Sequence, residues 1–287
     1  MGKTVIFGAT GRIGSALVTT LINKGIMPTA VVRDKKKISV LPVGTEVAVA
    51  DIFHADSVVE ICHNADTMFI LTPENPFSND VIGDGRMMIE NYLHAAQENK
   101  VSRIIALSSM GAQLPAGTGN LVISYLLEKA FTGYSGDVTC IRPNYYFSNW
   151  DMYLDTAKTE GILPTFFPSD LSLQMISPVD VAHYIADVMI NGNENSVVEL
   201  SGPVDYSSND VAEVFSKYLG REVTSIEIPV EQCEASLLKA GFTPDGAKNF
   251  ALMTAAVVKG ISGPEFPDKV INLETDFYTY LSDKNKG

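Results

Sequence analysis

Residues 3–14 read KTVIFGATGRIG, a short apolar run that passes directly into a glycine-rich turn. The β-branched and aromatic residues at 3–8 predict a buried strand that ends at glycine. From 12 to 24 the apolar residues recur with a helical period, and Gly25 stands where a helix cap belongs. The run TAVV at 29–32 predicts a second strand. This part of the chain therefore predicts a strand, a tight turn, a helix and a second strand.

The turn carries three glycines in the spacing G-x-x-G-x-x-G. Such glycines allow a sharp turn, a close approach of backbone N–H groups to a pyrophosphate, and close packing of the helix on the sheet. The start of the helix adds partial positive charge. We therefore predict a site for NAD(H) or NADP(H), against the alternative of a tight turn that holds no ligand. The predicted contacts are Gly8, Thr10, Gly11, Arg12, Ile13 and Gly14.

A basic cluster follows the second predicted strand and bears on the choice of cofactor. Residues 32–37 read VRDKKK, in a chain whose net charge is −13. An arginine at this strand end can grip the 2′-phosphate of NADP(H) with two parallel hydrogen bonds. Asp34 is the competing signal for NAD(H), and a solvated loop is the plain alternative. The cluster favours NADP(H), with Arg33 as the selecting residue and NAD(H) as the second choice.

The regular alternation of strands and helices continues to about residue 142. It predicts a doubly wound α/β fold, a parallel sheet covered on both faces. Ligands of such sheets lie at the carboxyl ends of the strands. The predicted strands are 47–50, 67–71, 103–107 and 138–141, and the predicted helices are 56–63, 81–99 and 121–131. The strand-end residues expected at the cofactor are Asp51, Ile52, Thr72, Pro73, Ser108, Ser109 and Pro143.

The second half of the chain is more mixed and predicts a smaller α+β lobe for the substrate. We expect a dinucleotide-binding domain over 1–150, with 176–200 returning to it, and a lobe formed mainly by 151–287. Ser177-Pro178-Val179-Asp180 has the N-cap serine, the proline and the early carboxylate of a helix start. A second helix is predicted at 208–219, and strands are predicted at 197–200 and 223–228.

Aromatic residues concentrate just after the last regular strand and include the chain's single tryptophan. Pockets for flat organic ligands are apolar and aromatic with a few polar anchors. The alternative is a core between the two lobes. The residues expected to line a substrate pocket are Asn144, Tyr145, Tyr146, Trp150 and Phe166.

Together these motifs resemble the NmrA-like family, an atypical branch of the short-chain dehydrogenases/reductases. The resemblance covers roughly residues 1–230. Its pieces are GATGRIG at 8–14, VVRD at 31–34, LSSMG at 107–111, CIRPNYYFSN at 140–149, SPVDVA at 177–182 and ELSGP at 199–203. The resemblance implies a domain that prefers NADP(H), with a smaller C-terminal lobe. Members of the family include reductases of quinones and dyes, and cofactor-binding redox-sensing regulators.

The wider superfamily carries a catalytic Tyr-x-x-x-Lys on the helix after the fifth strand, and Tyr125 and Lys129 have that spacing. Residues i and i+4 share one face of a helix, so the lysine could lower the pKa of the tyrosine. The register differs from the working pair, because Lys129 stands only 13 positions before Arg142. A glutamate typically occupies the position of Glu128 in NmrA-like chains. The pair is our candidate for catalysis, and a coincidental surface pair is the alternative.

Composition excludes several other classes of function. The acidic charge disfavours nucleic-acid binding, and no apolar run is long enough to span a membrane. Because the start of the chain lacks a signal-peptide pattern, we expect a cytoplasmic protein. The cysteines Cys62, Cys140 and Cys233 have neither disulfide nor zinc spacing. We expect buried free thiols and no metal.

The sequence favours an NADPH-dependent oxidoreductase that transfers hydride to a small apolar electrophile such as a quinone, carbonyl or azo compound. One alternative is an NADP(H)-binding redox sensor that acts through a protein partner. A nucleotide-sugar epimerase or dehydratase is the third hypothesis.

Overall fold

The computed structural model describes residues 2–193 and 196–284. Its strands are β1 (Lys3–Ile6), β2 (Thr29–Val32), β3 (Glu46–Val49), β4 (Ala65–Leu71), β5 (Arg103–Leu107), β6 (Asp137–Pro143), β7 (Tyr145–Tyr146), β8 (Ile162–Thr165), β9 (Leu173–Ile176), β10 (Val197–Ser201), β11 (Asp205–Tyr206), β12 (Thr224–Glu227) and β13 (Ile271–Asn272). Its α-helices are α1 (Arg12–Asn23), α2 (Ala55–Ile61), α3 (Val81–Glu98), α4 (Val122–Ala130), α5 (Leu154–Glu160), α6 (Pro178–Asn191), α7 (Ser208–Leu219), α8 (Cys233–Lys239), α9 (Pro244–Val258) and α10 (Phe277–Lys284).

Eight strands form one central sheet in the order β13-β10-β6-β5-β4-β1-β2-β3, and every neighbouring pair is parallel. The chain builds outward from β1 in one direction through β2 and β3, and in the other direction through β4, β5 and β6. The winding reverses between β1 and β4, and folds of this kind bind their ligands in a crevice at this switch point. The predicted doubly wound α/β fold is confirmed.

Helices cover both faces of this sheet because each carries a stripe of apolar side chains. Leu21 of α1 lies four residues after Leu17 and three after Val18, and these fully buried side chains pack with α6 on one face. Met88, Tyr92 and Leu127, from α3 and α4, are buried on the other face. Removing such side chains from water is the main favourable term in folding. The two cores fix the sheet between them.

The second lobe has a core of its own, built largely from aromatic rings. Phe147, Trp150, Phe215 and Phe277 are buried together in it. Two small sheets frame the lobe, in the orders β11-β9-β7 and β12-β8. The segment predicted to return to the first domain supplies α6 and β10 to the central layers. The strand β13, which the sequence placed in the lobe, also joins the central sheet.

Candidate functional site

The glycine-rich turn lies at the switch point between β1 and β4. Gly8 has φ +64°, which suits glycine, and a Cβ there would come within 2.6 Å of Leu71 Cδ2 at the end of β4. A Cβ on Gly14 would lie 2.2 Å from the carbonyl oxygen of Gly8. The Gly11 N–H donates to that same oxygen at 2.9 Å. The turn therefore leaves no room for a side chain at position 8 or 14, as close packing of the helix on the sheet requires.

The N-terminus of α1 begins directly in this turn. Gly11 is its N-cap, and no side chain caps the helix. The first N–H groups of a helix have no intrahelical partner, and together they carry a partial positive charge. An anion placed over the turn would find these donors at the crevice of the sheet. Thr10 lies half-buried beside them, and Ile13 anchors the helix from the buried side.

The end of β2 presents the basic cluster to solvent. Arg33 is exposed and follows the last residue of β2. The Asp34 carboxylate accepts the backbone N–H of Lys36 at 2.9 Å and caps the 3₁₀ turn at 35–40. The competing acidic signal is therefore engaged in a local cap. Asp51 and Ile52 follow β3 in the adjacent loop, where the Asp51 carboxylate accepts the N–H of Phe53 at 3.1 Å.

The ends of β4, β5 and β6 form the other half of the crevice. Thr72 is half-buried and Pro73 exposed after β4. Ser108 is buried after β5, and its hydroxyl donates to the Glu128 carboxylate at 2.6 Å. Ser109 is half-buried next to it. Pro143 is buried at the end of β6, and its carbonyl accepts the N–H of Met110 at 3.1 Å.

Sequence reasoning missed a polar pair at this end of the sheet. The Asn120 amide, 5% exposed, donates to the Glu74 carboxylate at 2.5 Å. Glu74 stands three residues beyond β4, and Asn120 lies in the turn that leads into α4. One signal could have found it: Asn120, Ser124 and Glu128 recur every four residues and so share a helix face.

Tyr125 and Lys129 directly follow Ser124 and Glu128 in the sequence, so they lie on a neighbouring face of α4. They line a cavity of about 500 Å³ along β6 and β10, together with Val138, Cys140 and Ser196. No residue of the glycine-rich turn lines this cavity. Glu128 lines the same cavity, and its carboxylate also accepts from Ser108 at the end of β5. A catalytic role for the Tyr125 and Lys129 pair stays an untested prediction.

The predicted aromatic pocket is divided by the structure. Trp150 is 1% exposed, and its indole N–H points to Met175 Sδ at 3.3 Å inside the lobe. It belongs to the core, which corrects its prediction as a pocket residue. Asn144 is 5% exposed, and its side chain is already engaged within the protein, because Nδ2 donates to the Leu200 carbonyl at 3.1 Å.

The remaining pocket candidates are partly accessible. Tyr145 packs edge-on against Phe167 in the lobe, whereas Tyr146 packs against the core of the first domain. Burial raises the pKa of both tyrosine hydroxyls, so both stay protonated at neutral pH. Phe166 is half-buried beside Phe167. Tyr145, Tyr146 and Phe166 are thus the candidates that can still meet a ligand.

One charged contact ties the glycine-rich turn to the second lobe. Asp151, whose side chain is 6% exposed, accepts from Arg12 Nη1 at 2.7 Å. The same carboxylate oxygen accepts the Tyr280 hydroxyl at 2.9 Å and lies 3.0 Å from Lys284 Nζ. Arg12 therefore holds α10 of the lobe through Asp151, while its backbone forms the start of α1.

Three sequence expectations concern other kinds of site. Cys62, Cys140 and Cys233 are free and buried, as predicted. Within 2–193 and 196–284, no group of three or more His, Cys, Asp or Glu residues could hold a metal ion. Across the same residues, no helix combines the length and the apolar character that crossing a membrane requires.

Comparison with known proteins adds the family. The model of the NmrA-like family matches residues 1–263. The NAD(P)H azoreductase of Xenophilus azovorans is 24% identical over 242 residues, which are 83% of this chain and 81% of that protein.

Two solved structures share the fold over nearly the whole length. The NADPH-dependent quinone oxidoreductase of Escherichia coli, solved with NADPH, gives a TM-score of 0.81 at 19% identity and covers 98% of this chain and 99% of its own. The Citrobacter sp. triphenylmethane reductase, complexed with NADP(H), gives 0.81 at 19% identity with the same coverage.

Proposed function

Because this chain belongs to the NmrA-like family, we propose that it is an NADPH-dependent reductase of small apolar electrophiles such as quinones, carbonyl compounds or azo compounds. The observation that carries the proposal is the uncapped start of α1 in a turn where a Cβ on Gly14 would meet backbone at 2.2 Å. Such a turn has donors for a pyrophosphate and no side chain that would block it. The reductase names of similar proteins agree with this chemistry.

The proposed cofactor spans the crevice from β3 to β6. The N–H groups of the turn over 8–14 would hold the pyrophosphate, Arg33 the 2′-phosphate, and Asp51 with Ile52 the adenine end. The nicotinamide would then lie toward Thr72, Ser109 and Pro143. When bound, it supplies the hydride, and the protein supplies binding, orientation and a proton.

The acceptor would lie between the strand ends and the second lobe. Tyr145, Tyr146 and Phe166 offer it aromatic surface, which suits flat and largely apolar molecules. Their hydroxyl and ring groups select by shape and stacking rather than by charge. A quinone or an aromatic azo compound fits this description.

The test is oxidation of NADPH in the presence of a panel of quinones, azo dyes and simple carbonyl compounds. The expected result is steady, enzyme-dependent oxidation with at least one flat acceptor, and little with small polar carbonyls. Gly14→Ala is the matched control, because it disturbs the turn and leaves the aromatic surface intact. Binding of NADPH without turnover of any acceptor would overturn the reductase proposal.

A redox sensor that acts through a protein partner would use the same cofactor site. The observation that favours it is the position of Tyr125 and Lys129 beside a cavity on the flank of the sheet. Capture of a partner that depends on NADPH, in a protein without turnover, would support this second candidate. The same position of the pair gives no support to an epimerase or dehydratase of nucleotide sugars.

A further inference from the structure

The contact between Glu74 and Asn120 joins two loops at the end of the sheet that the proposed nicotinamide would occupy. Glu74 follows β4, the strand next to β1, and Asn120 precedes α4. The amide of Asn120 donates to the carboxylate at 2.5 Å across 46 positions of sequence. Apolar residues of β4 and α4 are buried together in one core, so the packing of the two elements does not rest on this polar contact alone.

The surroundings of Asn120 hold unsatisfied hydrogen-bonding capacity. Asn120 Oδ1 and Thr118 Oγ1 are buried and have no hydrogen-bond partner among the described residues. Buried polar atoms are nearly always paired, and leaving one unpaired costs about 1–3 kcal/mol. Each such unpaired group in a folded protein calls for an explanation, and a role in a functional site is one of them. Asn120 contacts the Glu74 carboxylate directly, so part of this unused capacity adjoins that acid.

Glu74 combines access to water with a contact to a buried polar side chain. The side chain of Glu74 is exposed to water, and its carboxylate accepts a hydrogen bond from the buried amide of Asn120. No ion pair in the described ranges involves Glu74. Burial raises the pKa of this carboxyl group, while the hydrogen bond from Asn120 lowers it. A carboxyl group whose pKa is raised and that has no cationic partner keeps its proton more readily than an ordinary surface glutamate.

The loop that carries Glu74 is held from both sides. The backbone N–H of Val81 donates to the Asp245 carboxylate at 2.7 Å, and the N–H of Thr243 donates to the Pro76 carbonyl at 3.3 Å. The start of α9 therefore clamps residues 76–81 and fixes where the loop after β4 runs. Proton transfer needs such a fixed position, because the donor must lie within hydrogen-bond reach of its target.

We propose that Glu74 is the proton donor to the reduced acceptor and that Asn120 is the residue that positions it. The inference rests on the proposed function. Hydride from the nicotinamide adds two electrons and one hydrogen to a quinone and leaves a phenolate oxygen. The carboxyl proton of Glu74 then bonds to that oxygen, the O–H bond of the acid breaks, and the hydroquinone forms. Water then returns a proton to the carboxylate, because the side chain of Glu74 is exposed.

The chemistry of the acceptor provides a sharp test. A neutral quinone needs both a hydride and a proton, whereas a cationic triarylmethane dye is neutralised by hydride alone. We therefore expect Glu74→Gln to lower kcat for the quinone by about 100-fold or more, the usual worth of general acid catalysis. Because reduction of the dye needs no proton, its kcat should change by less than about threefold. Glu231→Gln removes an exposed carboxylate of the lobe and should change neither.

Further measurements keep the outcomes separate. The wild type should slow in D₂O with the quinone, Glu74→Gln should lose most of this effect, and Asn120→Ala should keep it with a lower kcat. NADPH affinity by calorimetry should stay the same in all variants and so report an intact fold. Equal losses with quinone and dye, or no loss with the quinone, would overturn the role of Glu74. If Tyr146→Phe alone abolished quinone turnover, the tyrosine would be the donor. If the wild type reduced neither acceptor, the reductase function itself would fail.

Discussion

At Gly14 the helix approaches the glycine-rich turn so closely that a Cβ atom would not fit. The first turn of α1 passes so near β1 that a Cβ would lie 2.2 Å from Gly8 O and 2.8 Å from Gly8 C. Both neighbours are backbone atoms, which cannot rotate away. The geometry of the glycine-rich turn therefore depends on the absence of a side chain at Gly14.

Gly14→Ala should destabilise the protein by about 1–3 kcal/mol, the range for overpacking. It should also weaken NADPH binding, because the N–H groups at the start of α1 move with the displaced turn. Thermal unfolding and calorimetry measure the two effects.

Gly25→Ala is the matched control at the other end of α1. Gly25 has φ +78° and nothing within 4 Å of a Cβ, so the change adds backbone strain of about 1–2 kcal/mol without a clash. We expect this variant to lose stability and to keep its NADPH affinity. Equal cofactor affinity in the two variants would contradict the role given to the turn.

Arg33 is the residue on which cofactor choice should depend. It is exposed at the end of β2, while its neighbour Asp34 is engaged as a cap. Arg33→Ala should weaken NADPH by about 1.5–3 kcal/mol, the worth of hydrogen bonds to a charged group, and leave NADH nearly unchanged. Lys37→Ala removes the same charge from the same cluster and should have a smaller effect. If both cofactors weakened equally, the arginine would not be reading the 2′-phosphate.

At the scale of elements, one arginine joins α4, β6 and β10. Arg142, 4% exposed, forms a two-point contact with Glu128 at 2.8 and 2.7 Å and also lies 2.6 Å from Glu265 and 3.4 Å from Glu199. Burial lowers the pKa of this guanidinium, but its hydrogen bonds to Glu128 and Glu265 outweigh burial and raise it. The side chain is therefore charged throughout the range in which the protein is handled.

Arg142→Lys keeps the charge and loses the fork, so it separates geometry from electrostatics. We expect a loss of about 1.5–3 kcal/mol, because a lysine cannot bind Glu128 at two points. The comparison is Lys24→Ala, which breaks the exposed pair with Asp187 and should cost less than about 1 kcal/mol. Urea unfolding of both variants measures the difference. A lysine variant as stable as the wild type would show that the fork contributes nothing.

Elements whose signal is local could be predicted from the sequence. The runs at 29–32 and 103–107 are strands with the predicted bounds, because each is a continuous apolar segment buried on both faces. The strand β4 begins at Ala65, two residues before the predicted start, because Ala65 pairs with Lys3 of β1. The strand β8 was missed, since Pro164 argues against a strand and is tolerated only in its two-stranded sheet with β12.

The site was predictable to the extent that it is made of contiguous residues. The turn over 8–14 carries its own geometry, and the sequence identified it. The contact between Glu74 and Asn120 depends on two loops that only the tertiary fold brings together. Trp150 shows what the sequence could not decide, because an aromatic residue after a strand gives the same sequence pattern whether it faces a ligand or the core. Burial, which decides between the two, is a property of the assembled lobe.

At the scale of the whole molecule, several weakly acidic side chains are buried, among them Cys62, Cys140 and Tyr92. Burial raises the pKa of the Cys62 and Cys140 thiols to about 12, with a smaller lowering by Lys3 at Cys62 and an opposing pair of charges at Cys140. Burial also raises the pKa of the Tyr92 hydroxyl. In the unfolded chain these groups ionise at their ordinary values, near 9 for the thiols.

These shifts predict that the protein loses stability as the pH rises above about 9, the unfolded thiol value. Between that value and about 12 the unfolded chain binds fewer protons than the native protein, so the free energy of unfolding falls with pH. Each thiol should contribute up to about 1.4 kcal/mol per pH unit across this window and nothing below it. Urea unfolding between pH 7 and 10.5 measures the slope. The double variant Cys62→Ala and Cys140→Ala should be less stable at pH 7 and show a shallower slope, because Tyr92 and the other buried hydroxyls remain. A wild-type stability that stays level to pH 10.5 would mean that these cores admit enough water for the thiols to ionise in the native state.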